Sequence, residues 1–146
     1  MSLVFGRAGN ESVDQRVVVA QVDRKTELML YRPVSGPKKP YTFKSPVSSE
    51  TFDYVAPMTR SRVFFIRFSK GYVADITIPW VELGYTAASK VIPFDVQVIS
   101  SDGSGSANAS CIWWHSAGAD AHANNDIPTE AWLYLGQWGR LVLDGR

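Results

Sequence analysis

The sequence predicts an all-β protein, an antiparallel two-sheet β-sandwich with one short helical turn. Apolar and polar residues alternate with a period of two, or form short β-branched runs, whereas helical periodicity is nearly absent. Turn-forming residues separate these runs, as in sandwiches built from many short strands. The chain has 146 residues, of which 45% are hydrophobic, so it is long enough for one domain with its own core.

The first predicted hairpin joins a β-branched run, Arg16–Asp23 (RVVVAQVD), to the alternating segment Thr26–Tyr31 (TELMLY) through a turn at residues 23–25.

The opening Met1-Ser2-Leu3 is typical of an artificial start. We therefore expect residues 1–146 to be a single domain that is either whole or an excised piece of a larger protein.

Residues 32–57 are rich in proline, which lacks the N–H that a central strand needs. We expect loops here, with short edge strands at 41–43 and 51–54. The prolines of this segment are Pro33, Pro37, Pro40, Pro46 and Pro57.

The clearest hairpin joins Arg62–Ser69 (RVFFIRFS) to Tyr72–Pro79 (YVADITIP) through Lys70-Gly71. A single helical turn is expected next, at Trp80–Gly84, because Pro79 suits the first helical position and Gly84 a C-terminal cap.

Three further strands are expected at Val91–Ser100, Ser110–His115 and Gln137–Leu143, separated by an SDGSGS loop at 101–106 and a polar loop at 117–128. On the long strand Phe94, Val96 and Val98 share one face. The residues expected in the core of this region are Ile76, Ile78, Phe94, Val96 and Leu141.

Charge excludes two classes of partner. Lys plus Arg is 15 and Asp plus Glu is 14, a formal net charge of +1, which gives no basic footprint for nucleic acid or for an anionic membrane surface. No apolar run approaches the roughly 18 residues of a membrane helix. The single cysteine, Cys111, excludes an intrachain disulfide and is interpreted as a buried, inert thiol.

The segment GYVADITIPWVELGYT, followed by KVIPFDVQVISSDGSG, resembles the family 9 carbohydrate-binding modules. The IPW-x-x-LG element at 78–84 and the closing WGRLVL at 138–143 carry the resemblance, which covers Arg62–Leu143. The chain departs from the family pattern at Asp75, where the family has a longer acidic residue, and at Ser101-Asp102, where it has Asn-Asp.

The resemblance implies a noncatalytic β-sandwich module that binds carbohydrate and is attached to a secreted glycoside hydrolase or surface protein. Other domains of the same parent chain would then be its partners, and its location would be extracellular, periplasmic or at the cell surface. Members of this family hold a terminal sugar between two tryptophan rings and bind structural calcium. The resemblance also assigns Trp80 a structural role, and Trp138 is interpreted in the same way.

Adjacent Trp113 and Trp114 should point to opposite faces of a strand, which leaves one ring free to stack on a pyranose. Trp114 is the first choice for this ring. Trp132, beyond the polar loop, is the choice for a second ring opposite it. The other candidates for sugar contact are Trp113, Tyr134, His115, Asn124, Asn125 and Asp126.

No cofactor is expected, and the one candidate metal site is a calcium site at Asp102. The loop offers a single carboxylate, whereas calcium takes six to eight oxygen ligands. His115 and His122 lie seven residues apart, which matches no zinc spacing, and both are interpreted as loop histidines.

Three other functions compete with sugar binding. An enzyme is disfavoured, because the chain has neither a nucleophile elbow nor a phosphate loop and the recognised segment has only Asp75 and Glu82 as carboxylates. The second is an architectural sandwich without a sugar site. The third is a DOMON-like haem or redox module, whose axial ligands would come from Met29, Met58, His115 and His122.

Overall fold

A computed structural model describes residues 1–6, 13–22, 25–32, 39–44, 46, 49–52, 54–85, 91–101, 108–115 and 139–143. Nearly all of this part is strand, and no helix in it is long and apolar enough to cross a membrane. In chain order the elements are β1 (Ser2–Gly6), β2 (Val13–Val22), β3 (Lys25–Arg32), β4 (Tyr41–Lys44), β5 (Ser49–Phe52), β6 (Tyr54–Pro57), β7 (Arg62–Phe68), β8 (Gly71–Thr77), α1 (Trp80–Leu83), β9 (Val91–Ser101), β10 (Asn108–Trp113) and β11 (Gly139–Val142).

The main sheet has seven antiparallel strands in the order β10-β9-β1-β2-β3-β6, with β11 also paired to β9. Strand β1 lies at its centre, where Leu3 is opposite Val17 on one side and Val96 on the other. The sequence pattern did not predict this strand. Its five residues, SLVFG, are all buried, so they lack the alternation that marks a half-exposed strand.

The hydrophobic core lies on one face of this sheet. Cross-strand neighbours share a face, so the register places Leu3 beside Val17, and Val17 beside Leu30. The buried members of the cluster are Leu3, Phe5, Val17, Val19, Leu28, Leu30, Met58, Leu83 and Ile92.

The core predicted from the sequence forms the border of this cluster. Ile76, Ile78, Phe94 and Val96 are half-buried and pack against it, and Leu141 is half-buried opposite Ile92. The centre instead comes mainly from β1, β2 and β3. The prediction was incomplete because it had no strand before Arg16.

The β7–β8 hairpin is a second, two-stranded sheet that covers the core face. Val63 and Ile76 lie opposite each other in the register, and both pack against the core. The guanidinium of Arg67 donates a hydrogen bond of 3.2 Å to Gln21 Oε1 on β2. The hairpin and the inward faces of Ile76 and Ile78 were predicted, and the antiparallel layered architecture of the predicted fold class is present.

The outward face of this hairpin carries several exposed apolar side chains. We call Phe64, Ile66, Phe68 and Val73 the outer stripe, because they share the face opposite Val63. Each of these side chains is at least half exposed.

The β4–β5 hairpin lies against the other face of the main sheet. Tyr31 of β3 is on the face opposite Leu30, and its ring contacts Phe43 at 5.8 Å and Phe52 at 5.3 Å between centroids. The edge strands predicted in the proline-rich segment are present. The second of them begins earlier than predicted, and a separate strand, β6, pairs with β3 and forms the edge of the main sheet.

The predicted helical turn is present as α1. Gly84 has φ of 71°, a left-handed conformation that favours glycine, and its N–H caps the turn. Pro79 precedes the helix as its N-cap rather than lying at the first helical position. The turn is tied to the main sheet by Gln15 Nε2, which donates to the Leu83 carbonyl at 2.7 Å.

Candidate functional site

The candidate surface begins where β10 ends. Trp113 is the last residue of the strand, opposite Gln97 on β9, and the chain bends at Trp114 and His115. The Trp114 N–H still donates to the Val96 carbonyl at 2.9 Å, so the backbone of Trp114 stays attached to the sheet. Its side chain is 57% exposed, whereas Trp113 is half-buried.

Trp113 does not enter the hydrophobic core. It shares a face with Gln97, and this face is opposite the one on which Val96 packs against the core. Its indole Nε1 is buried and has no hydrogen-bond partner among the described residues. The exposed ring of the pair is therefore Trp114.

The Trp114 ring packs against two other rings. It meets His115 edge to face, with centroids 4.4 Å apart and planes at 83°, and it lies 6.1 Å from Phe94. Phe94 in turn contacts Phe5 of the core at 5.1 Å. We call Trp114 and His115 the ring platform. It is exposed on one side and connected to the core on the other.

Gly139 on β11 lies directly beneath the ring platform. It pairs with Phe94, and a Cβ added to it would lie 2.6 Å from a ring carbon of Trp114 and 2.5 Å from one of His115. No side chain fits at these distances. A glycine inside a strand pattern is the sequence signal for such a close approach, and sequence reasoning missed it at this position.

Most of the other predicted site residues lie outside the described part of the chain, so their role in a site stays a prediction. This holds for the proposed second ring, the polar loop and the calcium site. The residues concerned are Asp102, His122, Asn124, Asn125, Asp126, Trp132, Tyr134 and Trp138.

Metal ligands do not cluster in the part of the chain that the structure covers. It contains no group of three His, Cys, Asp or Glu side chains able to hold a metal ion. Met58 is buried in the core, whereas Met29 lies on the opposite face of the main sheet from Leu28 and Leu30. The two methionines therefore do not converge on one haem site.

Glu82 has structural partners. Its carboxylate accepts hydrogen bonds from the Arg60 backbone N–H at 2.8 Å and from the Ser61 hydroxyl. Burial alone raises the pKa of Glu82, but these hydrogen bonds and the Arg60 charge outweigh burial, so the pKa lies below its usual range. The side chain fastens α1 to the segment before β7.

Trp80 is a second partly exposed tryptophan, at 37%. Its ring contacts Tyr85 at 6.0 Å, and the Tyr85 hydroxyl donates to the Gly6 carbonyl at 2.9 Å. Trp80 thus belongs to the packing around α1.

Comparisons with models of protein families, with curated proteins and with solved structures give no match to this chain.

Proposed function

We propose that this chain is a noncatalytic carbohydrate-binding module and that the Trp114 ring stacks on a sugar. The observation that carries the proposal is that the Trp114 ring is exposed and also packs against Phe94, which contacts the core. A pyranose presents a face of C–H groups that packs on an aromatic ring. A ring that is already fixed in place loses little conformational entropy when the ligand binds.

His115 supplies the polar part of the proposed contact. Its exposed imidazole meets the Trp114 ring edge to face, and an imidazole nitrogen donates to or accepts from a sugar hydroxyl. Trp132 is proposed as a second ring that would clamp a terminal sugar. Trp113, Tyr134, Asn124, Asn125 and Asp126 complete the proposed set of contacts, and Asp102 is the proposed calcium ligand.

The setting of the module is part of the same proposal. It would act outside the cell, in the periplasm or on the cell surface, beside other domains of a longer chain such as a glycoside hydrolase. No catalytic step is assigned to it.

Affinity electrophoresis against a panel of plant and microbial polysaccharides, followed by a glycan array, tests the proposal. The wild type should be retarded by at least one polysaccharide, and Trp114→Ala should migrate as in a gel without polysaccharide. Trp80→Ala is the matched control, because it removes another partly exposed tryptophan that packs around α1. Equal retardation of the wild type and Trp114→Ala would contradict the proposal.

The second candidate is an architectural sandwich that packs against neighbouring domains and binds no sugar. The outer stripe favours it, because contiguous exposed apolar side chains are typical of surfaces that contact protein. A folded wild type that no polysaccharide retards would support this candidate.

A further inference from the structure

Asp95 carries a carboxylate in the interior of the main sheet. The residue lies on β9 opposite Val4, and its side chain is fully buried. A buried carboxylate is costly unless hydrogen bonds compensate for the lost water. Asp95 Oδ1 accepts from the Val96 N–H at 2.8 Å and from the His115 N–H at 3.0 Å.

These two bonds lie at the point where the β9–β10 ladder stops. Trp114 would be the next residue of β10, opposite Val96, and its N–H does reach the Val96 carbonyl. In a regular hydrogen-bonded antiparallel pair, each residue donates its N–H to the carbonyl of the other. Here the Asp95 carboxylate accepts the Val96 N–H in place of a strand carbonyl, and it also accepts the N–H of the residue after the bend.

We infer that Asp95 is the positioning residue of the ring platform. By accepting both N–H groups it ends the ladder after one bond of the Val96–Trp114 pair and turns the chain at residues 114 and 115. The turn places both rings over Gly139. The inference deepens the proposed sugar site and rests on that proposed function for its effect on binding, whereas the effect on the bend is independent of it.

Removal of the carboxylate should release the bend. In Asp95→Ala the His115 N–H loses its acceptor, so its amide should exchange with solvent much faster than in the wild type. The two rings should leave Gly139, and sugar affinity should fall about tenfold, equivalent to about 1.4 kcal/mol. Asp95→Asn keeps a carbonyl oxygen in nearly the same position, so it should retain His115 protection and most of the affinity.

Gln97→Ala is the matched control. Gln97 is fully buried on the same face of the same strand, and its Oε1 accepts from Arg16 Nη2 at 2.9 Å. It should lower the melting temperature and leave His115 exchange unchanged. If Asp95 had only a structural role, Asp95→Ala would behave like Gln97→Ala: its melting temperature would fall and the exchange of the His115 amide would not change.

The experiment combines amide exchange by NMR with affinity for the polysaccharide that retards the wild type in affinity electrophoresis. A wild-type His115 amide that exchanges at the unprotected rate would overturn the inference without any variant, even if Asp95→Ala does not fold. Unchanged exchange and affinity in Asp95→Ala would also overturn it. If the wild type binds no sugar, the proposed function fails, while the exchange data still decide whether Asp95 holds the bend.

Discussion

At Gly139 the absence of a side chain is a packing requirement. Two rings from a distant part of the sequence lie against its Cα, and a single added carbon would approach both within 2.6 Å. The contact joins the last described strand to the end of β10, and it keeps the exposed face of Trp114 directed away from the sheet. The position of the ring platform therefore depends on Gly139.

Gly139→Ala is expected to displace the ring platform. Overpacking at a site of this kind costs about 1–3 kcal/mol of unfolding free energy, and the displaced Trp114 ring should also weaken sugar binding. Gly71→Ala is the matched control, since a Cβ there has no atom within 4 Å and the expected change is below about 0.5 kcal/mol. Urea denaturation and oligosaccharide titration compare the two variants with the wild type. Equal unfolding free energies for Gly139→Ala and Gly71→Ala would contradict the close packing of the two rings on Gly139.

Glu82 gives the fold a dependence on pH. Its pKa is lowered in the folded state, so its stabilising contribution is present above the ordinary glutamate pKa and is lost as the pH falls through the folded-state value. Glu82→Gln should reduce the unfolding free energy by about 1 kcal/mol at neutral pH, a modest value because the group is partly solvated. The difference from the wild type should shrink below about pH 4.

Urea denaturation between pH 3 and 7 measures this difference. Ser61→Ala removes one donor to the carboxylate and should show part of the same effect. A gap between wild type and Glu82→Gln that stays constant across the series would show that the ionised carboxylate is not the stabilising form.

At the scale of elements, the β7–β8 hairpin has two faces with different environments. Val63 packs against the core, whereas the adjacent Phe64 is 64% exposed on the outer stripe. Val63→Lys should lower the unfolding free energy by about 2 kcal/mol or more, because it places a charge against the core. Phe64→Lys should change it by less than about 0.5 kcal/mol and raise solubility. If denaturant melts give the same loss of unfolding free energy for both variants, Val63 does not face the core.

The elements also show how far sequence reasoning reaches. Alternation and turn residues were enough to predict the β2–β3 and β7–β8 hairpins, because each has one exposed face and a short connection. β1 escaped prediction because a strand buried on both sides shows no alternation. Alternation predicted one exposed ring in the Trp113–Trp114 pair, and that ring is Trp114. The roles of Asp95 and Gly139 depend on contacts between strands that no local pattern records.

At the scale of the whole molecule, the layers share one apolar core. The main sheet supplies most of it, and the β7–β8 layer and α1 cover it, so the chain should behave as a strand-rich protein. Far-UV circular dichroism is expected to show strand as the main component, with helix below about a tenth of the residues. A spectrum dominated by helix would contradict the architecture.

Carbohydrate binding through the exposed ring of Trp114 is the proposed function, and a fluorescence titration is its most direct test. Tryptophan emission of the wild type is followed while soluble oligosaccharides are added up to about millimolar concentration, the range expected for a ligand with few contact atoms. The emission of the wild type should change saturably, and this change should disappear in Trp114→Phe and persist in Trp80→Phe. An emission that no oligosaccharide alters, or a change that Trp114→Phe retains in full, would contradict it.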